Sequence, residues 1–330
     1  MKSMRLVLGV ATLAMGGWLV FAVFGSTGPS AAPAQAFTSS QQCKECHPQV
    51  YAEWEASPHA RSWINPRVRS LSNDFANEDC IACHAPRGVF DVGPGERMLP
   101  RSVRRQEGVD CLTCHALPDG GMAGSKSDPR AACRPTQEIA LTRPQFCSGC
   151  HNQHKTVDQW TYSKWPDLDK DCRSCHMPYR DGTPESGRSH AMPGGSSLDF
   201  VKSAIALSGE ETEDGWLIKL ANVGAGHAFP TDERSRASDV FWRPIGDMGK
   251  PGVDTWRHLD RMRSPYRTET GLEDTLLQAH EVRKFTIDDP DSVDGIEVAW
   301  YYMRSPYWKD PERPDPDNEA QLVHRLELRP

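Results

Sequence analysis

Ten of the eleven cysteines in this 330-residue chain fall in five pairs: Cys43/Cys46, Cys80/Cys83, Cys111/Cys114, Cys147/Cys150 and Cys172/Cys175. A histidine follows each pair at once: His47, His84, His115, His151 and His176. Two thiols separated by two residues reach the two vinyl groups on one porphyrin edge, and the adjacent imidazole lies beneath the ring to bind iron. Zinc knuckles and thioredoxin-like sites also use paired cysteines, but neither requires a histidine after every pair. The pattern predicts five covalently bound haem c groups and redox chemistry at iron. Cys133, in Ala-Ala-Cys-Arg-Pro, has neither a partner cysteine nor a following histidine. It reads as an unpaired thiol, with an intermolecular disulfide or a haem contact as alternatives.

Seven histidines remain as candidates for the opposite face of each iron. His59 follows Tyr51, Trp54 and Pro58, whose spacing makes one helical turn that the proline ends, swinging His59 towards a neighbouring iron. His154 lies three residues after His151, on the same side of a helix expected over residues 145–155, so it should serve a different haem. His190 sits in a loop with no structural need for a histidine. His227 follows glycines that permit close approach to a flat ring. These four are the expected distal ligands. His280 and His324 lie in strand-like alternation and read as structural, and His258 stays open. The fifth iron then takes His258, a methionine such as Met98, Met122 or Met192, or nothing, and an open position would bind a small molecule.

The elements that must position these groups divide the chain. Residues 41–195 hold every motif, with poor hydrophobic periodicity and abundant Pro, Gly, Asp and Arg. Such a composition would struggle to cover its entropy cost unless the haems supply the core. The expected fold there is a mostly irregular and α-helical pentahaem domain, with short helices wrapping five haems. Residues 196–330 lack cysteine and show period-two alternation at 201–207, 216–223, 238–242, 282–287, 296–303 and 322–328. Broken by Gly, Pro and Asp turns, they read as a small all-β sandwich-like domain that contributes one haem ligand, His227. Ile296, Val298, Trp300 and Tyr302 should share one strand face, with Glu297 on the other. Residues 309–318 read as an exposed loop.

At the N-terminus, Lys2 and Arg5 precede the charge-free run Leu6–Gly25. Residues 1–25 are therefore a signal peptide or a retained membrane anchor, followed by a linker over 26–40. Ala34-Gln35-Ala36 offers a cleavage site. Either way, residues 41 onward are exported to the periplasm or its equivalent. The net charge of −7 points away from nucleic acid. Redox proteins are the expected partners, either other cytochromes or a quinol-linked complex. Arg101, Arg104 and Arg105 could pair with haem propionates or form a solvated basic face.

Four segments carry a family resemblance: Tyr51-x-x-Trp54-x-x-Ser57-Pro-His59-Ala60, Glu107-Gly-Val-Asp110-Cys-Leu-Thr-Cys-His115, Cys172-Arg-Ser-Cys-His-Met-Pro178 and Gly226-His227-Ala-Phe-Pro-Thr231. With them the chain resembles the multihaem c-type cytochromes related to the tetrahaem electron acceptor of hydroxylamine oxidoreductase. The resemblance implies mainly bis-histidine haems in closely stacked pairs, electron transfer, and distal roles for His59, His154 and His190. The chain departs from that pattern in having five motifs and an added β-domain. Electron transfer is the leading expectation. The alternative is an oxidoreductase of nitrite or hydroxylamine type with one five-coordinate haem. Pentahaem nitrite reductases resemble the chain in haem number, but their active haem typically has lysine where all five motifs here have histidine. A membrane-anchored quinol oxidase module would require Leu6–Gly25 to be retained.

Overall fold

The computed structural model describes residues 37–231, 234–246, 255–288 and 294–330. Leu6–Gly25 and the Ala34–Ala36 cleavage site lie outside these residues. No helix among the described residues is long and apolar enough to cross a membrane.

A 3-10 turn, Ser40–Glu45, carries the first cysteine and leads through Cys46 and His47 into α1, Pro48–Ala56. Short helices follow: α2 (Pro66–Leu71), α3 (Glu78–His84), α4 (Val89–Val92), α5 (Cys111–His115), α6 (Gln145–His151), α7 (Thr156–Thr161) and α8 (Cys172–His176). Motifs two to five thus each close a helix at their histidine. Helices this short do not persist on propensity alone, so their caps matter. Asp110 and Asp171 cap α5 and α8 in capping boxes, completed by Thr113 and Ser174 from inside the motifs. The helix expected over 145–155 is shorter than the spacing suggested. α6 stops at His151, a 3-10 turn spans Asn152–His154, and Lys155 turns left-handed at φ 56°. His151 and His154 therefore do not share one α-helical face. Between α5 and α6 the chain forms a small parallel pair, β1 (Met122–Gly124) and β2 (Pro135–Gln137).

After α9 (Leu198–Ala204) the chain is almost wholly β: β3 (Ile205–Thr212), β4 (Gly215–Asn222), β5 (Ala237–Pro244), β6 (Arg257–Met262), β7 (Val282–Ile287), β8 (Ile296–Met303) and β9 (Gln321–Leu328). Residues 201–204, expected in a strand, are helical because Ser197 caps α9 by accepting from Phe200 N, which turns Val201 into the core. β6 escaped the pattern because charged residues dominate this edge strand. The strands make two antiparallel sheets, β3-β4-β7 and β6-β5-β8-β9. Trp216, Ile218 and Leu220 of β4 share one core with Val240 and with Ile296, Val298, Trp300 and Tyr302 of β8. The opposite face of β8 is also buried: Ala299, Tyr301 and Met303 pack with Phe241 and Trp308. Glu297 is buried there, held by Arg243 and Arg325. Within the loop expected over 309–318, the four-residue helix α10, Pro316–Glu319, brings Asp317 to the Tyr301 hydroxyl.

Candidate haem-binding site

Three of the expected distal histidines face a motif histidine. Ring centres are 6.0 Å apart for His59 and His151, 6.3 Å for His115 and His190, and 6.5 Å for His176 and His227. A metal–imidazole bond of about 2.0–2.1 Å, with the ring centre roughly 1.1 Å beyond nitrogen, puts two rings on opposite sides of one metal about 6.3 Å apart. Each pair fits one iron. The rings of His176 and His227 are nearly parallel, at 16°, whereas those of His59 and His151 are turned by 52°.

Protonation agrees with this geometry. Nδ1 of His115 donates to Ala123 O at 2.8 Å and Nδ1 of His176 donates to Pro193 O at 2.7 Å. His84 donates to Ser62 O at 3.1 Å, His190 to Arg188 O at 3.0 Å, and His227 to Ala228 O at 2.9 Å. A carbonyl oxygen can only accept, so the proton sits on Nδ1 and leaves Nε2 bare for a metal. Burial lowers the basicity of His115, His176 and His227. Burial, then neighbouring imidazoles, pushes His59 down to about 3. His190 falls to about 4 by burial and the proximity of His115. His151 also falls to about 4, because its ring is desolvated and surrounded by His176, His154 and His227 although the residue keeps an open edge.

The pins on the distal histidines are specific. The carbonyl of His59 accepts from Val109 N at 3.0 Å and from Ser62 Oγ at 2.8 Å. Gly108, at φ 60°, lies so close that an added Cβ would stand 2.4 Å from that carbonyl, so glycine is required. Trp54 Nε1 donates to Val109 O, tying α1 to the same segment. His227 follows β4 in a loop held by Asn222, whose Nδ2 donates to His227 O at 2.9 Å. A Cβ on Gly226 would meet the indoles of Trp160 and Trp165 at 2.9 and 3.2 Å. The flat rings that demand glycine before His227 are therefore tryptophans.

The remaining candidates divide. His154 lies near enough to His151 to act on its ring, and its neighbour Gln153 donates to Cys83 Sγ at 3.3 Å. His84 packs against Phe75. His47 is exposed, and among the described residues no histidine ring pairs with it. His258 bonds Asp239 at 2.9 Å, and His324 bonds the carbonyls of Lys202 and Ile205. His280 lies against Trp165. Met192 Sδ abuts His59 Nδ1, and Met98 is buried beside Gly149 of α6. Met122 lies on β1. Cys133 lies close enough to Cys43 to push that thiol upwards.

Cys46 is exposed, as is Cys175, whereas the other cysteines of the five pairs are half-buried. The reason at the first motif is local. The 3-10 turn that holds Cys43 ends at Glu45, so Cys46 falls at its C-cap and runs out to the surface with His47. Cys175 lies within α8, on a helix whose residues are none of them fully buried.

Cysteine contacts fix which attachment sites adjoin. The thiols of Cys43 and Cys111 lie close enough to act on one another, as do those of Cys83 and Cys150, and of Cys147 and Cys172. As haem attachments these sulfurs would be thioethers, so it is their proximity that carries over. The first site therefore adjoins the third, and the fourth adjoins both the second and the fifth. Cys114 also acts on Cys147 and Cys150, which connects the third site to the fourth. Arg101 has neither of its expected roles. It is buried, with its guanidinium on Asp110, Thr113 and the carbonyls of Pro86, Val103, Arg104 and Gly108. Arg104 pairs with Asp110 as well.

The family described as cytochrome c554 and c-prime matches residues 42–116. A penta-heme cytochrome c552 from Thermochromatium tepidum shares the fold, with a TM-score of 0.64, 17% identity, and coverage of 88% of this chain and 98% of that one. These findings support a multihaem c-type cytochrome. No curated protein matches the chain by sequence. With five donor sets of Cys, Cys and His, four of them on short helices, the residues present fit covalent haem c.

Proposed function

We propose that the chain is an exported pentahaem cytochrome that carries electrons between redox partners. The observation that carries this reading is the 6.0–6.5 Å separation of the three histidine pairs, which leaves room for an iron and none for an added ligand. The five cysteine pairs hold the haems, and His47, His84, His115, His151 and His176 bind from one side. His59 lies opposite His151, His190 opposite His115 and His227 opposite His176, while His154 serves a haem other than that of His151. Bound haem supplies one-electron cycling of iron, with its potential set by axial ligands, burial and hydrogen bonding.

In this reading residues 41–195 form the haem domain, and a sandwich-like β-domain over 196–330 contributes His227. The sites adjoin in the order first, third, fourth, with the second and fifth both on the fourth. The chain's partners would be other redox proteins, another cytochrome or a quinol-linked complex. Export by the N-terminal segment accords with haem attachment outside the cytoplasm.

His47 favours a second reading, since it is exposed and faces no histidine among the described residues. An open position there would bind nitrite or hydroxylamine. Magnetic circular dichroism and EPR of the oxidised protein decide between the two. Five low-spin haems, inert to nitrite, are expected of an electron carrier, and one high-spin haem that binds nitrite would make it an oxidoreductase.

A further inference from the structure

Glu53 lies on α1, just after the first motif, yet its carboxylate reaches residues more than a hundred positions later. Oε1 accepts from Arg180 Nε at 2.6 Å and Oε2 from the same guanidinium at 2.8 Å. Oε2 also accepts the backbone N–H of His190 at 2.9 Å. Both side chains of this bidentate pair are largely buried, at 16% and 19% exposure, where removing one partner costs far more than at the surface because the other charge is left unpaired.

Arg180 is itself part of a small hairpin. Its backbone N–H donates to Gly187 O, its Nη1 donates to Ser186 O at 2.7 Å, and Tyr179 bridges Arg188. Arg188 lies over the Tyr179 ring at 4.1 Å and donates to the carbonyls of Arg173 and Met177 on and after α8. Nδ1 of His190 donates to the carbonyl of that same Arg188. The imidazole facing His115 is thus oriented by a hairpin fixed at one end to α8 and at the other to Glu53.

We infer that Glu53, acting with Arg180, is the positioning residue that holds His190 in the sixth position opposite His115. This rests on the bis-histidine reading. Nothing in the local sequence of either segment marks the contact. Partners one step removed from a metal typically change its affinity 10–100-fold when lost, and Glu53 supports both the backbone and the ring of one ligand.

The test uses the haem-loaded full chain and follows exogenous imidazole binding at a single haem by magnetic circular dichroism and stopped flow, with His190→Ala as reference. Glu53→Ala should admit imidazole at least about tenfold faster than the wild type, at the same spectral species that His190→Ala exposes. Glu53→Gln, which keeps an acceptor for the His190 N–H but loses the charge on Arg180, should fall between. If Glu53→Ala does not accumulate, Glu53→Gln and Arg180→Met give the same readout. Wild-type rates in these variants, with a high-spin haem in His190→Ala, would overturn the role of Glu53 and leave the pairing standing. A His190→Ala protein with every haem still low-spin would overturn the pairing and the positioning role together.

Discussion

Before residue 195 the buried apolar clusters hold three residues each, Tyr51, Trp54 and Ala60 in one, Phe75, Ile81 and Ala85 in the other. After residue 200 a fifteen-residue core runs from Val201 to Val323 and joins both sheets, and a second cluster lies on the other face of β8. The first region has little apolar core of its own to offset the entropy of ordering so many loops, whereas the second buries both faces of β8 with its own side chains. What the first region has instead is a set of histidines aimed in pairs and locked by backbone carbonyls. On the proposed reading, one region closes around prosthetic groups, and the other supplies a packed β-structure that carries His227.

The contrast can be broken most directly by withholding haem. A chain exported without haem attachment should be cleaved throughout residues 41–195 under limited proteolysis while a fragment covering 205–328 survives. Equal resistance in both regions would end the comparison. Within the β-structure, Trp300 is fully buried and its Nε1 donates to Ser238 Oγ at 2.8 Å. Trp300→Ala should cost about 3–5 kcal/mol, read from denaturant unfolding of the sheets. On the haem side the nearest counterpart is polar. Asp110→Ala would leave Arg101 buried without its carboxylate and would uncap α5, at a cost of roughly 3 kcal/mol, checked by the same unfolding curve followed at the haem absorbance.

The smallest effect is electrostatic. Burial raises Asp317, but hydrogen bonds from Tyr301 and Trp256, with Arg325 and Arg243 nearby, outweigh it and hold the carboxyl below its usual range. A depressed carboxyl stabilises the fold above its unfolded value of about 3.9, and that contribution disappears as pH falls through the lower folded value. Asp317 is half exposed, so Asp317→Asn should remove only about 0.5 kcal/mol. The difference in Tm from wild type should vanish under strong acid.

What was legible in the sequence was local. The motif histidines could be read because thioether spacing and the proximal ligand lie within five residues, and strands 282–287 and 296–303 fall where alternation put them. Residues 201–204 misled because a helix capped by Ser197 buries Val201 just as a strand would. The exposure of Cys46 was hidden for a similar reason: its motif reads like the other four, and only the early end of the turn before it sends it outward. The partner of each distal histidine could not be read at all, because those pairs join loops far apart in the chain. Glu53 was invisible for the same reason. Tyr51, Trp54 and Gly108 show the reverse case: their types are distinctive, but their service to His59 appears only once Val109 is folded against it.

The central claim is that His59, His190 and His227 each face one iron. It is tested most directly by replacing each with alanine in the haem-loaded protein and counting high-spin haems by magnetic circular dichroism. Each single variant should gain one high-spin haem and each double variant two, at three spectrally distinct sites. A variant that keeps every haem low-spin, or two variants that expose the same haem, would contradict the account.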